Sequence, residues 1–208
     1  MASYTKIALL IVLIAAGTHL LTVTLVPILI MQRVMSTISE QGLDRDPAAG
    51  EFPVKKYLQD GYETEIRRRR GINVALPAPR ADARNQRVVR QSPDLVYTVC
   101  VFDVSEHPLH VSGPVQDTYV SLSGFAANTD NFFVINDRQI DTGADGSRRF
   151  NVVIRGPASG DGALPPGAGV IDAPTDRGIL LFRSLVPSED ALETIYQFQA
   201  RQKCSPVA

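Results

Sequence analysis

Residues 7–31, IALLIVLIAAGTHLLTVTLVPILIM, contain no charged side chain, and no later stretch is as apolar. At about 1.5 Å of rise per residue, such a helix crosses a hydrocarbon core of about 30 Å. The pattern predicts one transmembrane helix over 7–31, with residues 1–6 as a short tail. A cleaved signal peptide fits poorly. Its basic region would be only Lys6 and the amino terminus, and the apolar run exceeds the roughly 7–15 residues of a signal core. The next residues, QRVMSTIS, offer no small-x-small cleavage site.

After the span the pattern turns polar. Residues 32–50 read as a polar helix that gives way to a linker, GLDRDPAAG. Residues 53–70 predict a short amphipathic helix with Val54, Tyr57, Leu58 and Tyr62 on one side. Pro77 and Pro79 forbid a continuous helix over 71–91, so that segment is expected to run extended. Residues 32–90 are therefore a juxtamembrane helix and linker.

From 91 to 208 short apolar or alternating runs recur between turn residues. They predict strands near 95–104, 108–113, 117–125, 131–136, 149–155, 168–173 and 178–186. DTGADGS and PASGDGALPPGAG supply turn chemistry between them. Strands at this spacing, without a βαβ rhythm, predict a mostly β domain: an antiparallel sandwich or barrel. A helix closes it. Ser188 is placed to cap it, Glu189 and Asp190 favour its positive end, and Arg201 and Lys203 its negative end. Leu192, Ile195, Tyr196 and Gln199 give it one packing face.

Composition adds little: 44% hydrophobic and 21% charged residues are ordinary for a folded protein. The net charge of −1 argues against a general nucleic-acid binder. The run Arg67, Arg68, Arg69, Arg70 is local and offset by Asp60, Glu63 and Glu65. It reads as a solvated helix end before Gly71, with an anionic lipid headgroup or an acidic partner as its other use.

Candidate chemistry is sparse. His107 and His110 form HPLH across a turn with no third metal ligand nearby, and read as surface groups. Asp103, Asp117, Asp130, Asp137, Asp141 and Asp145 make the middle acidic, but NDRQIDTGADGS lacks the spacing of a calcium loop, and Asx-turns explain it. Ser121, Ser123 and Ser184 stand in strands without a nucleophile elbow. Arg138, Arg155, Arg177 and Arg183 are solvated arginines or an anion-binding face. No catalytic residue, metal site or cofactor is expected. His19 differs, because an ionisable group near the middle of a span is costly and normally faces protein or water. With Gly17, Thr18 and Thr22 it predicts a contact between transmembrane helices.

Three segments in order, DLVYTVCVFDVSEHPLHVSGPV, DTYVSLSGFAANTDNFFVIND and FNVVIRGPASGDGALPPGAGVIDAPTDRGILLFRSLV, followed by a closing helix, resemble the family called domain of unknown function 1254. The likeness covers roughly residues 90–203. It is closest to the short, singly anchored alphaproteobacterial form, with its HLLTV…P span and near-terminal cysteine. The resemblance implies a mostly β domain on the outer side of the bacterial inner membrane and no established activity. Larger members carry a second domain after this one, so a site built between two domains would need another protein here.

Cys100 stands mid-strand and Cys204 follows the closing helix. Without a CxxC, a metal site is poorly supported. A disulfide between them is the simplest use, and two structural thiols the alternative. It would close a loop of about 100 residues, for which chain entropy gives about 4–5 kcal/mol before strain. Charge leaves the orientation of the span nearly tied, with Lys6 and the amino terminus against Arg33 and Arg45. A disulfide needs an oxidising compartment and breaks the tie: amino terminus cytoplasmic, β domain periplasmic. The expected partners are the bilayer and another inner-membrane protein, in an interaction or assembly role. A periplasmic ligand-binding module or hydrolase acting on envelope components is the alternative.

Overall fold

The computed structural model of the protein describes residues 2–43, 53–80, 91–143, 146–160 and 162–207. The linker at 44–50, the lead segment at 81–90 and Asp145 lie outside the described residues.

Helix α1 (Ala2–Leu43) contains the apolar run and its polar continuation in a single piece, with Pro27 inside it. Proline has no N–H, so the Val23 carbonyl loses its usual partner there, yet the helix continues. The amphipathic segment at 53–70 is not one helix. A 3-10 turn at Pro53–Tyr57 and helix α2 (Tyr62–Arg68) are separated at Gly61, which is left-handed at φ +85°. The break splits the expected face. Val54, Tyr57 and Leu58 join one apolar cluster, and Tyr62 joins another with Ile66, Val74 and Leu76.

Among the described residues nine strands follow: β1 (Leu76–Pro77), β2 (Leu95–Asp103), β3 (Leu109–Pro114), β4 (Val120–Ala126), β5 (Asn131–Asn136), β6 (Arg149–Arg155), β7 (Gly169–Asp172), β8 (Arg177–Leu185) and β9 (Lys203–Pro206). They form a five-stranded sheet in the order β1-β2-β8-β4-β5 and a four-stranded sheet in the order β7-β6-β3-β9. Every expected strand is present within a few residues. All pairings are antiparallel except β6 with β7, which is parallel. The proline- and glycine-rich stretch between them is long enough to carry the chain back for a parallel pairing, which a tight hairpin cannot do. Strand β9, which follows the closing helix, is not signalled by the sequence pattern. It pairs with β3, placing Cys204 opposite Val111.

Strand alternation builds the core. Cys100 and Phe102 on β2, Leu122 on β4 and Leu180 and Phe182 on β8 point inward from the larger sheet. Leu109, Val111, Phe150, Val152, Ile154 and Cys204 meet them from the smaller one. Phe150 and Phe182 touch edge to face across the gap, with ring centroids 5.8 Å apart. Glycine is required where the β8 backbone passes this layer: a Cβ on Gly178 would lie 2.2 Å from the Phe125 carbonyl oxygen and 2.7 Å from the Phe102 ring.

Helix α3 (Leu192–Gln199) buries Ile195, Tyr196 and Gln199, the face expected from the sequence. Ser188 precedes a short 3-10 turn at Glu189–Ala191 and makes no capping bond through its side chain. Arg201 donates to the Gln197 carbonyl at 3.3 Å near the helix end, whereas Lys203 belongs to β9.

Replacing Phe182 with alanine removes the ring that bridges the sheets. The expected cost is about 3–5 kcal/mol, read as a lowered urea midpoint of the full chain in detergent. Val170→Ala, at an exposed site on β7, should stay within about 0.5 kcal/mol of the parent.

Candidate functional site

The features that bear on function lie where α1 meets the larger sheet and where the chain end meets α2. Side chains 4–26 of α1 are exposed, and from Met31 onward a stripe turns inward. Met31, Met35 and Ile38 stand at helical spacing on one face. They pack with Ile72, Val99, Val101, Phe125 and Ile179, on the side of the sheet opposite the core. Strand β2 is thus covered on both faces near Val101: Cys100 and Phe102 look into the sandwich, and Val101 looks at the helix.

A tight turn after α2 receives the helix. Gly71 is left-handed at φ +70°, and a Cβ there would lie 2.7 Å from the Ser39 carbonyl oxygen of α1. Both backbone sign and space demand glycine. Arg70 and Asn73 are also left-handed. Asn73 is fastened by its side chain, which donates to the Asp103 carbonyl at 2.7 Å and accepts from the Asp103 N–H at 2.9 Å. The Asn73 N–H donates to the Val101 carbonyl at 2.8 Å, and Ile72 makes a parallel bridge to Val101. The arginine run is partly used within this turn. Arg68 donates to Glu65 at 2.8 Å, and Arg69 pairs with the same carboxylate. The two guanidiniums, Arg68 foremost, hold the Glu65 carboxyl below its ordinary range. Arg67 and Arg70 are exposed.

Thr18, His19 and Thr22 occupy one side of α1 by helical spacing, and Gly17 lies toward the other. Thr22 Oγ1 donates to the Thr18 carbonyl at 2.8 Å, and Thr24 Oγ1 to the Leu20 carbonyl at 2.8 Å. The Thr22 and Thr24 hydroxyls are satisfied within the helix, and His19 is the ionisable group of the stripe.

Cys100 and Cys204 are free thiols, both buried. They come from different sheets and stand in the same buried cluster. Burial pushes the Cys100 thiol well above its ordinary range, and the Cys204 neighbour adds to that. Cys204 also lines a cleft of about 310 Å³ whose walls include Leu58, Tyr62, Ala75, Gln199 and Gln202. Gln199 donates to the carbonyls of Ala78 at 2.9 Å and Tyr97 at 2.7 Å, tying α3 to the strands.

The remaining sequence candidates do not converge. His107 is exposed, as expected of a turn. His110 is not simply a surface group: it is half-buried on β3, 2.8 Å from Asn151 Oδ1. Asp103 accepts from the Ser105 N–H and hydroxyl in an Asx-turn and faces Arg177 at 3.2 Å. Arg155 pairs with Asp172 on the smaller sheet, so the four arginines share no face. Ser121 and Ser123 are buried on β4, where Ser121 accepts from the Tyr119 hydroxyl at 2.9 Å. Among the described residues no three His, Cys, Asp or Glu side chains group as a metal site. The Gly71 turn was missed from sequence as a docking point; three left-handed residues in RRRRGIN are a weak signal, visible only as Gly and Asn near a helix end.

Gly71→Ala is expected to lower stability by at least about 1–3 kcal/mol from the left-handed backbone alone, with the Ser39 contact adding to it. The measurement is the urea midpoint of the full chain in detergent. Because Glu65 is held low, its contribution is present above the ordinary glutamate range and fades as pH falls through its depressed pKa. Glu65→Gln should flatten that part of the pH dependence.

Comparison with known proteins gives a fold and a family. A family model described as "Protein of unknown function (DUF1254)" matches residues 72–206, a range that includes all nine strands. The crystal structure of the VPA0106 protein from Vibrio parahaemolyticus is similar at 12% identity and a TM-score of 0.50, covering 83% of this chain and 38% of that one. An uncharacterized protein from Burkholderia cenocepacia is similar at 15% identity and a TM-score of 0.46, covering 83% and 48%. The chain thus spans less than half the length of either structure. No curated protein matches it.

Proposed function

This chain belongs to the DUF1254 family, and from that premise we propose that it is a single-pass protein of the bacterial inner membrane that serves as an interaction or assembly subunit. Its amino terminus lies in the cytoplasm and its β domain in the periplasm. The observation that carries this reading is the continuity of α1. One helix is long and apolar enough to span a bilayer, and its last turns are built into the domain through Met31, Met35 and Ile38. A signal peptide is disposable. Here, a cut beyond the span would strip side chains that cover Val101 and Ile179, which favours an anchor that stays. The domain is therefore held against the membrane by a helix rather than trailing on a flexible tether.

The partner is another membrane-spanning protein, met through the Thr18–His19–Thr22 stripe. An imidazole at mid-span is costly against lipid and is best accommodated by a polar group on a neighbouring helix.

Two measurements test this reading. Full-length protein purified in mild detergent should bring down a stoichiometric membrane protein, identified by mass spectrometry. His19→Leu should lower that recovery roughly 3- to 10-fold, matching the about 0.6–1.4 kcal/mol of an interhelical hydrogen bond. Unchanged recovery, or a solitary protein, would remove the assembly role. A carboxyl-terminal reporter that folds only outside the cytoplasm should be active, and an inactive one reverses the orientation.

A further inference from the structure

We propose that Cys100 and Cys204 are a disulfide site that staples the two sheets together, filled by a disulfide-bearing thiol oxidant that enters through the cleft beside α2. The two thiols project from β2 of the larger sheet and β9 of the smaller one and meet in the shared core. Both side chains stand in the one buried cluster that the two sheets close over, and the Cys204 neighbour pushes the Cys100 thiol up further, as a nearby sulfur would. Access is unequal. Cys100 is fully buried, whereas Cys204 forms part of the cleft wall on an edge strand.

That inequality sets the order of steps. The Cys204 thiolate attacks the oxidant's disulfide, forming a mixed disulfide and releasing one oxidant sulfur, which leaves as a thiol with a proton. Cys100 then gives up its proton and attacks the Cys204 sulfur, displacing the second oxidant sulfur, which also leaves as a thiol. Two protein thiols lose two electrons and two protons, and the oxidant's disulfide gains them. Strand β9 benefits most, because its pairing with β3 spans only Lys203–Pro206.

Formation in the cell rests on the periplasmic orientation proposed above; the adjacency of the thiols does not. Full-length protein, purified reduced in detergent, is incubated with oxidised glutathione, quenched in acid and unfolded. Maleimide-reactive thiols are then counted by intact mass. The expected result is loss of both thiols with no glutathione retained, and a higher urea midpoint than the reduced protein shows. Cys100→Ala should instead leave Cys204 carrying glutathione. If that variant does not fold, the wild-type mass and midpoint with and without reductant decide alone. Two surviving thiols, glutathione retained on the wild type, or a bond between two chains would overturn the site. Closure in vitro with two free thiols in acid-quenched cells supports the site and counts against the orientation instead.

Discussion

The structure depends on β2 being buried from both sides. Its Cys100 and Phe102 close against the smaller sheet, and its Val99 and Val101 close against α1. A strand with one solvated face alternates apolar and polar residues. LVYTVCVFDV shows apolar residues at both parities, because each face has a separate apolar neighbour. The sandwich and the attachment of the helix thus share one strand. A change on either face of β2 is felt through the same backbone ladder with β8, which runs the full length from Leu95 to Asp103.

The junction is also specific. Apolar contact alone would let a helix slide along a sheet. Here the approach is fixed by backbone, with Ser39 seated on Gly71. The turn under it is pinned by Asn73 to Asp103 and by Ile72 and Asn73 to Val101. The side chains supply the burial, and the left-handed turn supplies the register. The arginines that look in sequence like a surface for anions are partly occupied in closing that turn, through Glu65.

Much of the β domain was legible because period-2 runs and turn residues are local signals. Strands β5 and β6 fall where the short apolar run in NFFVIN and the alternation in RFNVVIR place them, and the buried face of α3 follows from spacing alone. What was not legible depends on partners distant in sequence. KCSP has no strand signature, and β9 exists because β3 leaves an edge open beside it. The parallel direction of β7 is decided by the length of the crossover before it rather than by the residues of β7. Gly61 divides the 53–70 segment because the two halves serve different clusters, a demand absent from the amphipathic pattern. At the candidate site, His19 and the two cysteines stood out by residue type. The Gly71 seat did not, since its meaning requires Ser39 opposite it.

The order of the strands has a consequence for how the chain matures. Strand β2 emerges early, but its long partner β8 lies some eighty residues later, and β3 waits for β9 at the chain end. Among the described strands, the β4–β5, β6–β7 and short β1–β2 pairings join nearby segments, and the β3–β6 pairing spans more of the chain. Until β8 is available, β2 is an apolar strand with an open edge. Contacts of this separation form slowly, and unpaired strands of this kind aggregate. Helix α1 precedes all of this and already carries Met31 and Met35 on the face that β2 will need. The amino-terminal helix can therefore shield its own strand during synthesis, a holding role complete before either sheet has closed.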